Sequence, residues 1–459
     1  MEQLISGVFA APTVEPLPIF VFWNYEGIQV TKIISGVTNG GTQHRGMLGI
    51  WSFSMLARLR PTLDFMPSPV PDKPGLLIRD PFQFSDAALV IPPVLVESLT
   101  YFDGTRSSLD LREHLVRLTG DLDVGGLEQH LIDTLSGAGF LEDDNFFRRK
   151  EEAERAFAAA PTREPAHAGT GYPEDPAELT LTLRGYLNGH REQSADAQGG
   201  RVRAIAAPHV SPYGGVDAYR AAYASLAPSD ADRTFVVLGT SHYGEPDRFG
   251  LTRKAFATPL GETSTNLALV DEIARAAGDG ALMEDYCHAV EHSIEFQVVF
   301  LQHLFGANVR VAPVLCGAFS RGMQAGAHPE DDEAVRRTIG ALGEIAAREG
   351  DRLLWVLGVD MAHMGRRYGD RFEAIADRGE MEEVAGRDRS RIERMEQGDA
   401  AGFWAQVREN RDDLKWCGAS PIYTFLRALP GVRGSLLRYQ QWNIDPHSVV
   451  SFAGLRFHS

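Results

Sequence analysis

Four short apolar runs punctuate the C-terminal two thirds of the chain. Arg201 to Ala206 (RVRAIA), Thr234 to Leu238 (TFVVL), Val309 to Leu315 (VRVAPVL) and Leu353 to Val359 (LLWVLGV) are rich in Val, Ile and Leu, the signature of strands covered on both faces. Amphipathic segments with helical spacing lie between them: Val216 to Leu226, Thr265 to Ala277, Ile294 to Phe305 and Glu333 to Arg348. Strand and helix in alternation predict an α/β layered domain with a central, mostly parallel or mixed sheet flanked by helices. Two closing runs, Ser435 to Gln441 and Val449 to Phe457, alternate enough to read as half-exposed or edge strands.

Upstream the texture changes. Across residues 71–150, Leu109, Leu111, Leu115 and Leu118 give one apolar face, and Leu127, Leu131, Ile132 and Leu135 another, with turns at Asp103-Gly104 and Ser136 to Gly139. A small helical module is expected there. Residues 151–176 begin charged and helical, then pass into Ala, Pro, Gly and Thr with no core pattern. They read as a linker, with the α/β domain following at 177–459. Residues 1–70 carry two Thr/Gly-rich turn clusters, Gly36 to Thr42 among them, and no sustained period. They are expected to form a small irregular extension or to lie upstream of the true start, for which Met66 is the candidate. The most apolar N-terminal stretch, Pro18 to Trp23, is far shorter than the ~20 residues a bilayer needs, and Glu2 stands where a signal peptide has basic residues. No membrane span or signal peptide is expected, and no internal repeat of about 20–50 residues is found.

Composition narrows the partners. The 459 residues suffice for two domains, or for one large domain and an appendage, and 44% hydrophobic with 23% charged is ordinary for a globular chain. Lys+Arg 45 against Asp+Glu 62 gives −17, which repels phosphate backbones and anionic lipid. Between Asp72 and Lys150, 14 acidic residues face 8 basic ones, the wrong sign for a DNA-reading winged helix. Three cysteines, Cys287, Cys316 and Cys417, rule out a disulfide framework and suit a reducing, cytoplasmic setting, where a special cysteine is a ligand or a nucleophile.

Chemistry follows the strands. RVRAIA runs into Pro208-His209, TFVVL into Gly239-Thr240-Ser241-His242, and LLWVLGV into Asp360-Met361-Ala362-His363. In open α/β sheets ligands bind at the carboxyl ends of strands, so these residues are expected at one crevice. Glu291-His292 opens a helical segment. Cys417-Gly418 precedes another, Ile422 to Leu429, where the helix dipole favours a thiolate. Glu295 reads as a first-turn acid favoured by the same dipole, and Cys287 and Cys316 as ordinary thiols. His288 and His303 carry no assignment, and the Gly-rich loops lack the spacing of a nucleotide-binding fingerprint.

The ordered set AIAAPHVSPYGG, VVLGTSHYG, VEHSIEFQ, VAPVL, VLGVDMAHMG, KWCGASPI and SLLRYQQWN resembles the Memo family, proteins similar in fold to class III (LigB-type) extradiol dioxygenases. The likeness runs from about Ala168 to the C-terminus. It implies a metal held by His209, His242 and Cys417, with His292, Asp360 and His363 around the same pocket. The helical module resembles the winged-helix-like PqqD type through its Leu spacing and DGTRS. The bacterial relatives imply radical-SAM and AMMECR1-like protein partners.

Two imidazoles and a thiolate suit Fe(II), Cu or Zn, with Fe(II) foremost, whereas Mg or Ca would want more oxygen. His363 is expected to act as acid/base near neutral pH, with Asp360 orienting a ring or a bound water. Glu291 and Tyr213 are candidates for supporting His292 and His209 through adjacency alone. Two departures from the family pattern stand out: CGASP replaces CGRHP, removing a cation and a His beside Cys417, and PHVSPYGG replaces PHAGY. The Cys ligand also departs from the two-His, one-carboxylate set of extradiol dioxygenases. The leading expectation is a metal-dependent oxidoreductase acting on a small-molecule or peptide substrate. The alternatives are a non-catalytic metal-containing module that binds peptide or protein, and zinc-assisted hydrolysis.

Overall fold

The computed structural model of the chain describes residues 9–10, 54–70, 72–187 and 201–459. The stretch Pro18 to Trp23 and the turn cluster Gly36 to Thr42 lie outside the described residues. The chain divides into two compact units between Ala156 and Phe157.

The larger unit is built on a ten-stranded mixed sheet. Its strands are β1 (Val202–Ala207), β2 (Thr234–Thr240), β3 (Phe249–Leu251), β4 (Ala281–Met283), β5 (Arg310–Cys316), β6 (Leu353–Gly358), β7 (His363–Gly365), β8 (Arg433–Asp445) and β9 (Ser448–His458). The order is β4-β3-β5-β2-β6-β1-β9-β7, with β8 on β9 and Ser264–Thr265 on β5. The central β5-β2-β6-β1 block is parallel, and β9 joins β1 antiparallel.

Helices cover both faces: α1 (Val216–Tyr223), α2 (Leu267–Ala277), α3 (Glu295–Phe305), α4 (Glu333–Glu349), α5 (Glu380–Glu396), α6 (Ala400–Arg408) and α7 (Ala419–Ala428). Successive residues of each central strand enter opposite cores. Val236, Leu238, Trp355 and Leu357 pack with α2, α4, α5, α6 and α7. Phe235, Val237, Leu354 and Val356 pack with α1, α3 and the helix Pro176–Leu187. Side chains that alternate between two apolar layers give the unbroken apolar runs seen in the sequence.

One closing strand corrects the sequence reading. β8 is half-buried along its length, but β9 is buried from Ser448 to Leu455 and lies inside the sheet. Gly454 permits this. A Cβ there would sit 2.5 Å from the Ala218 carbonyl of α1, so the helix packs directly onto the strand.

The smaller unit is more than helical. Antiparallel strands Asp64–Pro67, Leu76–Arg79 and Ala88–Ile91, with Phe9–Ala10 on the last, form a sheet beside helices Ser108–Thr119 and Gly125–Gly137. Ser107 and Asp110 form a capping box that starts the first helix. Residues 54–70, read as the tail of the extension, contribute Leu56, Leu59 and Leu63 to this core. The Arg60 guanidinium donates to Asp80 and to the Gly139 carbonyl. The candidate start Met66 falls within a strand, opposite Leu77.

The expected linker is also ordered. A helix occupies Asp144–Ala159, and Thr162–Arg163 pairs with the strand Ala255–Thr258 of the larger unit. No helix among the described residues is long and apolar enough to cross a membrane.

Candidate metal centre

The parallel block delivers its functional residues by strand geometry. His209 lies two residues past β1, His242 two past β2 and Asp360 two past β6, while His363 opens β7. These are the carboxyl ends of adjacent parallel strands, where backbone N–H groups and loops diverge and leave a crevice. Cys417 reaches the same place from the turn before α7. Gly418 N–H donates to the Asp360 carbonyl at 3.0 Å, and a Cβ on Gly418 would lie 2.6 Å from that oxygen. Only glycine lets the two turns approach so closely. The loop Glu291 to Ile294 closes the site by a similar device: a Cβ on Gly358 would lie 2.1 Å from the Ser293 carbonyl.

The donors converge. His209, His242 and Cys417 each offer a ligand atom, all within 4.8 Å of one another. His209 Nδ1 is 3.0 Å from the Gly358 carbonyl, so Nδ1–H donates there and the Nε2 lone pair faces Cys417 Sγ at 3.1 Å. His242 Nδ1 is 3.0 Å from a Glu291 oxygen. It therefore carries its proton towards the carboxylate, and its buried Nε2 has no hydrogen-bond partner. His363 Nδ1 faces the carbonyls of Met361 at 2.9 Å and Lys415 at 3.1 Å, which again frees Nε2. A carbonyl or carboxylate behind each imidazole fixes its tautomer, as metal-ligating histidines require.

Glu291 supports this arrangement more firmly than adjacency suggested. Its carboxylate accepts the backbone N–H groups of His242 at 3.0 Å, His292 at 2.9 Å and Ser293 at 3.1 Å. Burial works to raise its pKa, yet the His242 ring, and after it the His292 ring, hold it well below the usual carboxylate range. The His292 ring lies 5.0 Å from that of His209 and 5.1 Å from that of His242. Its Nδ1 is 3.0 Å from Glu291 but is not aligned for a hydrogen bond.

Two electrostatic expectations reverse, and a third group gains a role that was not expected of it. Burial, with Asp360 nearby, pushes the Cys417 thiol well above its ordinary value, so the helix start alone leaves it protonated, donating to His209 Nε2; a bound cation would be needed to ionise it. Burial lowers His363 to about 3, so at neutral pH this ring is an acceptor and not an acid. Burial raises Asp360 to about 7, partly offset by the His209 N–H at 2.9 Å. The group poised to exchange a proton near neutrality is therefore Asp360, the residue cast only as an orienting partner.

A cleft opens beside these residues, walled by Val210, Tyr368, Trp442, Ile444 and Val450, with His209, His292, Asp360 and His363 on its polar side. Tyr213, proposed to support His209, is half-exposed and packs edge-on against Trp442 at 5.5 Å instead. Tyr439 and Trp442 stood in the motif SLLRYQQWN without a role.

Sequence reasoning missed a further group behind the site. Glu295 does stand in the first turn of α3, but it has a further role: it is fully buried and paired with Arg163. It also accepts the Tyr172 hydroxyl and the His167 N–H. Arg163 donates as well to the carbonyls of His288 at 2.7 Å and Glu291 at 2.8 Å, gripping both ends of the turn that carries Glu291. The only signal in the sequence was an arginine and a histidine inside a stretch otherwise without pattern.

A family profile described as Memo-like protein matches residues 163–456. The MEMO1 family protein of Aquifex aeolicus is 26% identical over 386 residues, covering 83% of this chain and 96% of that protein. MEMO1 family protein TK1477 of Thermococcus kodakarensis is 29% identical over 311 residues, covering 64% and 99%. Protein memo-1 homolog of Caenorhabditis elegans is 27% identical over 308 residues, covering 63% and 80%. The Aquifex match is longer than the profile's segment and so extends N-terminal to residue 163.

Proposed function

The chain belongs to the Memo-like protein family, and from that premise we propose that its larger unit is a metal-dependent oxidoreductase. The metal, iron(II) in the first place and copper in the second, is held by His209, His242 and Cys417, and the substrate is a small molecule bound in the adjoining cleft. The observation that carries this reading is the buried, partnerless His242 Nε2 beside the His209 Nε2 and Cys417 Sγ pair. A buried polar atom without a partner costs about 1–3 kcal/mol, and a cation bound by all three donors removes that cost.

The donor set fits such an ion. Two imidazoles and a sulfur suit borderline or soft metals and offer too little oxygen for Mg or Ca. Iron or copper held there supplies one-electron chemistry to a bound substrate or to dioxygen. The chain's own residues do the rest. Trp442, Ile444, Val450 and Tyr368 give the substrate an apolar bed and displace water. Asp360, whose pKa burial raises to about 7 before any cation is bound, holds or releases a proton at its carboxyl, and His363, with Nδ1 engaged by the Met361 carbonyl, offers Nε2 to accept a hydrogen bond from the substrate. The test is protein purified without oxygen, assayed for elements and then titrated with oxidant while its absorption is followed. Stoichiometric iron or copper with a reversible spectral change is expected. Protein without a transition metal, or holding zinc with no response to oxidant, contradicts the reading.

A further inference from the structure

The centre is assembled from two turns distant in sequence, Asp360 to His363 and Lys415 to Gly418, and both lead back to one carboxylate outside the cleft. Asp388 lies on α5 and is fully buried. Trp416 Nε1 donates to Asp388 Oδ1 at 2.8 Å. The Ser451 hydroxyl donates to Oδ2 at 2.6 Å, and the Tyr439 hydroxyl to the same oxygen at 2.7 Å.

Each of the first two bonds continues into the site. Trp416 is the residue before Cys417. Its own N–H donates to Asp412 at 2.8 Å, and Asp412 pairs with buried Arg391, whose guanidinium lies 5.1 Å from the Trp416 ring. Arg391 follows Asp388 by three positions, so one face of α5 holds the indole from two sides. On the other arm, Ser451 Oγ accepts the Ala362 N–H at 2.8 Å. The Ser451 N–H donates to the Ala362 carbonyl at 2.9 Å, and the Met361 N–H donates to the Ser451 carbonyl at 2.8 Å. Because the Ser451 hydroxyl gives its proton to Asp388, its lone pair must point at the Asp360–His363 turn.

We infer that Asp388 is a positioning residue of the metal centre, setting Cys417 through Trp416 and the Asp360–His363 turn through Ser451 with a single buried carboxylate. The inference rests on the metal reading proposed above. An apolar side chain of similar volume would pack α5 against the sheet without desolvating a charge. What the carboxylate adds is direction, because its two oxygens fix two donors at once. Residues that orient ligands in this way change metal affinity by about 10–100-fold when altered.

Cobalt(II) bound to the full-length protein tests it, because a thiolate ligand gives a near-ultraviolet charge-transfer band that reports the Cys417 sulfur without any turnover. Asp388→Asn keeps the volume but places an amide NH₂ where one oxygen accepted. It is expected to shift or weaken that band and to lower cobalt affinity about 10–100-fold in chelator competition. Trp416→Phe should reproduce the change in the band, and Ser451→Ala the loss of affinity. Tyr439→Phe removes a donor from the same carboxylate with no link to either turn, so its band and affinity should match the wild type. Circular dichroism confirms folding, and if Asp388→Asn does not fold, Ser451→Ala and Trp416→Phe decide the matter from the donor side. Folded Asp388→Asn, or these two replacements in its stead, with the band and affinity of Tyr439→Phe overturns the positioning role. A wild-type protein without a thiolate band overturns the metal reading, and the inference with it.

Discussion

Replacing Asp360 by Asn in metal-free protein should remove a pH dependence of folding that the wild type carries. Asp360 is buried, and the only charge-bearing contact to its carboxylate among the described ion pairs is His209 Nε2 at 3.5 Å, an imidazole itself held neutral by burial. Burial raises its pKa from 3.8 to about 7. A group whose folded pKa exceeds its unfolded one contributes stability that is complete below the unfolded value and is lost as pH rises through the folded value. A shift of roughly three units at 1.36 kcal/mol each makes that loss on the order of 4 kcal/mol between pH ~4 and ~7. Asn mimics the protonated acid and has no such term. Buried His363 and His167 are lowered to about 3 and about 4, and they erode stability as pH falls below 6.5. They do so in both proteins and drop out of the difference. Urea unfolding of chelator-stripped protein at pH 5 and pH 8 should therefore show Asp360→Asn gaining about 3 kcal/mol on the wild type across that interval. Parallel curves would show that the carboxyl is not desolvated as the structure has it.

Three further outcomes follow from the same contacts. Arg163→Ala leaves Glu295 buried without its cation and should cost about 3–5 kcal/mol in urea unfolding; a loss below about 1 kcal/mol, the scale of an exposed pair, would contradict the buried assignment. Glu291→Gln frees the His242 tautomer and should weaken metal binding about 10–100-fold in chelator competition, whereas unchanged affinity would mean that His242 is oriented by something else. Gly418→Ala forces its Cβ against the Asp360 carbonyl and Val359. It should lower stability by about 1–3 kcal/mol together with metal content, and normal metal content would show that the two turns tolerate separation.

The parallel block was legible because a strand buried on both faces has no polar alternation to conceal it, and residues just past such strands must meet at one edge. His209, His242 and Asp360 needed only that topology to be brought together. Cys417 needed the family resemblance, since nothing in the spacing of KWCGASP says which strand ends it will face. The segment from Arg163 to Tyr172 escaped because its burial comes from a helix more than 120 residues away, and composition does not record long-range pairing. β9 misled by its alternation, which arises from small residues such as Gly454 lying under α1 and not from solvent. The thiolate expected of Cys417 and the near-neutral titration expected of His363 are reversed for one shared reason, which also gives Asp360 its unforeseen proton-exchanging role. Local cues such as a helix start or an unperturbed imidazole are outweighed when burial desolvates the group.

The most direct test of the account is X-ray absorption at the edge of the bound metal in wild-type and Cys417→Ala protein. The account predicts one sulfur scatterer near ~2.3 Å with imidazole nitrogens near ~2.1 Å in the wild type, and loss of the sulfur shell in the variant. A metal surrounded only by nitrogen and oxygen in the wild type, with a spectrum unchanged by Cys417→Ala, would contradict it.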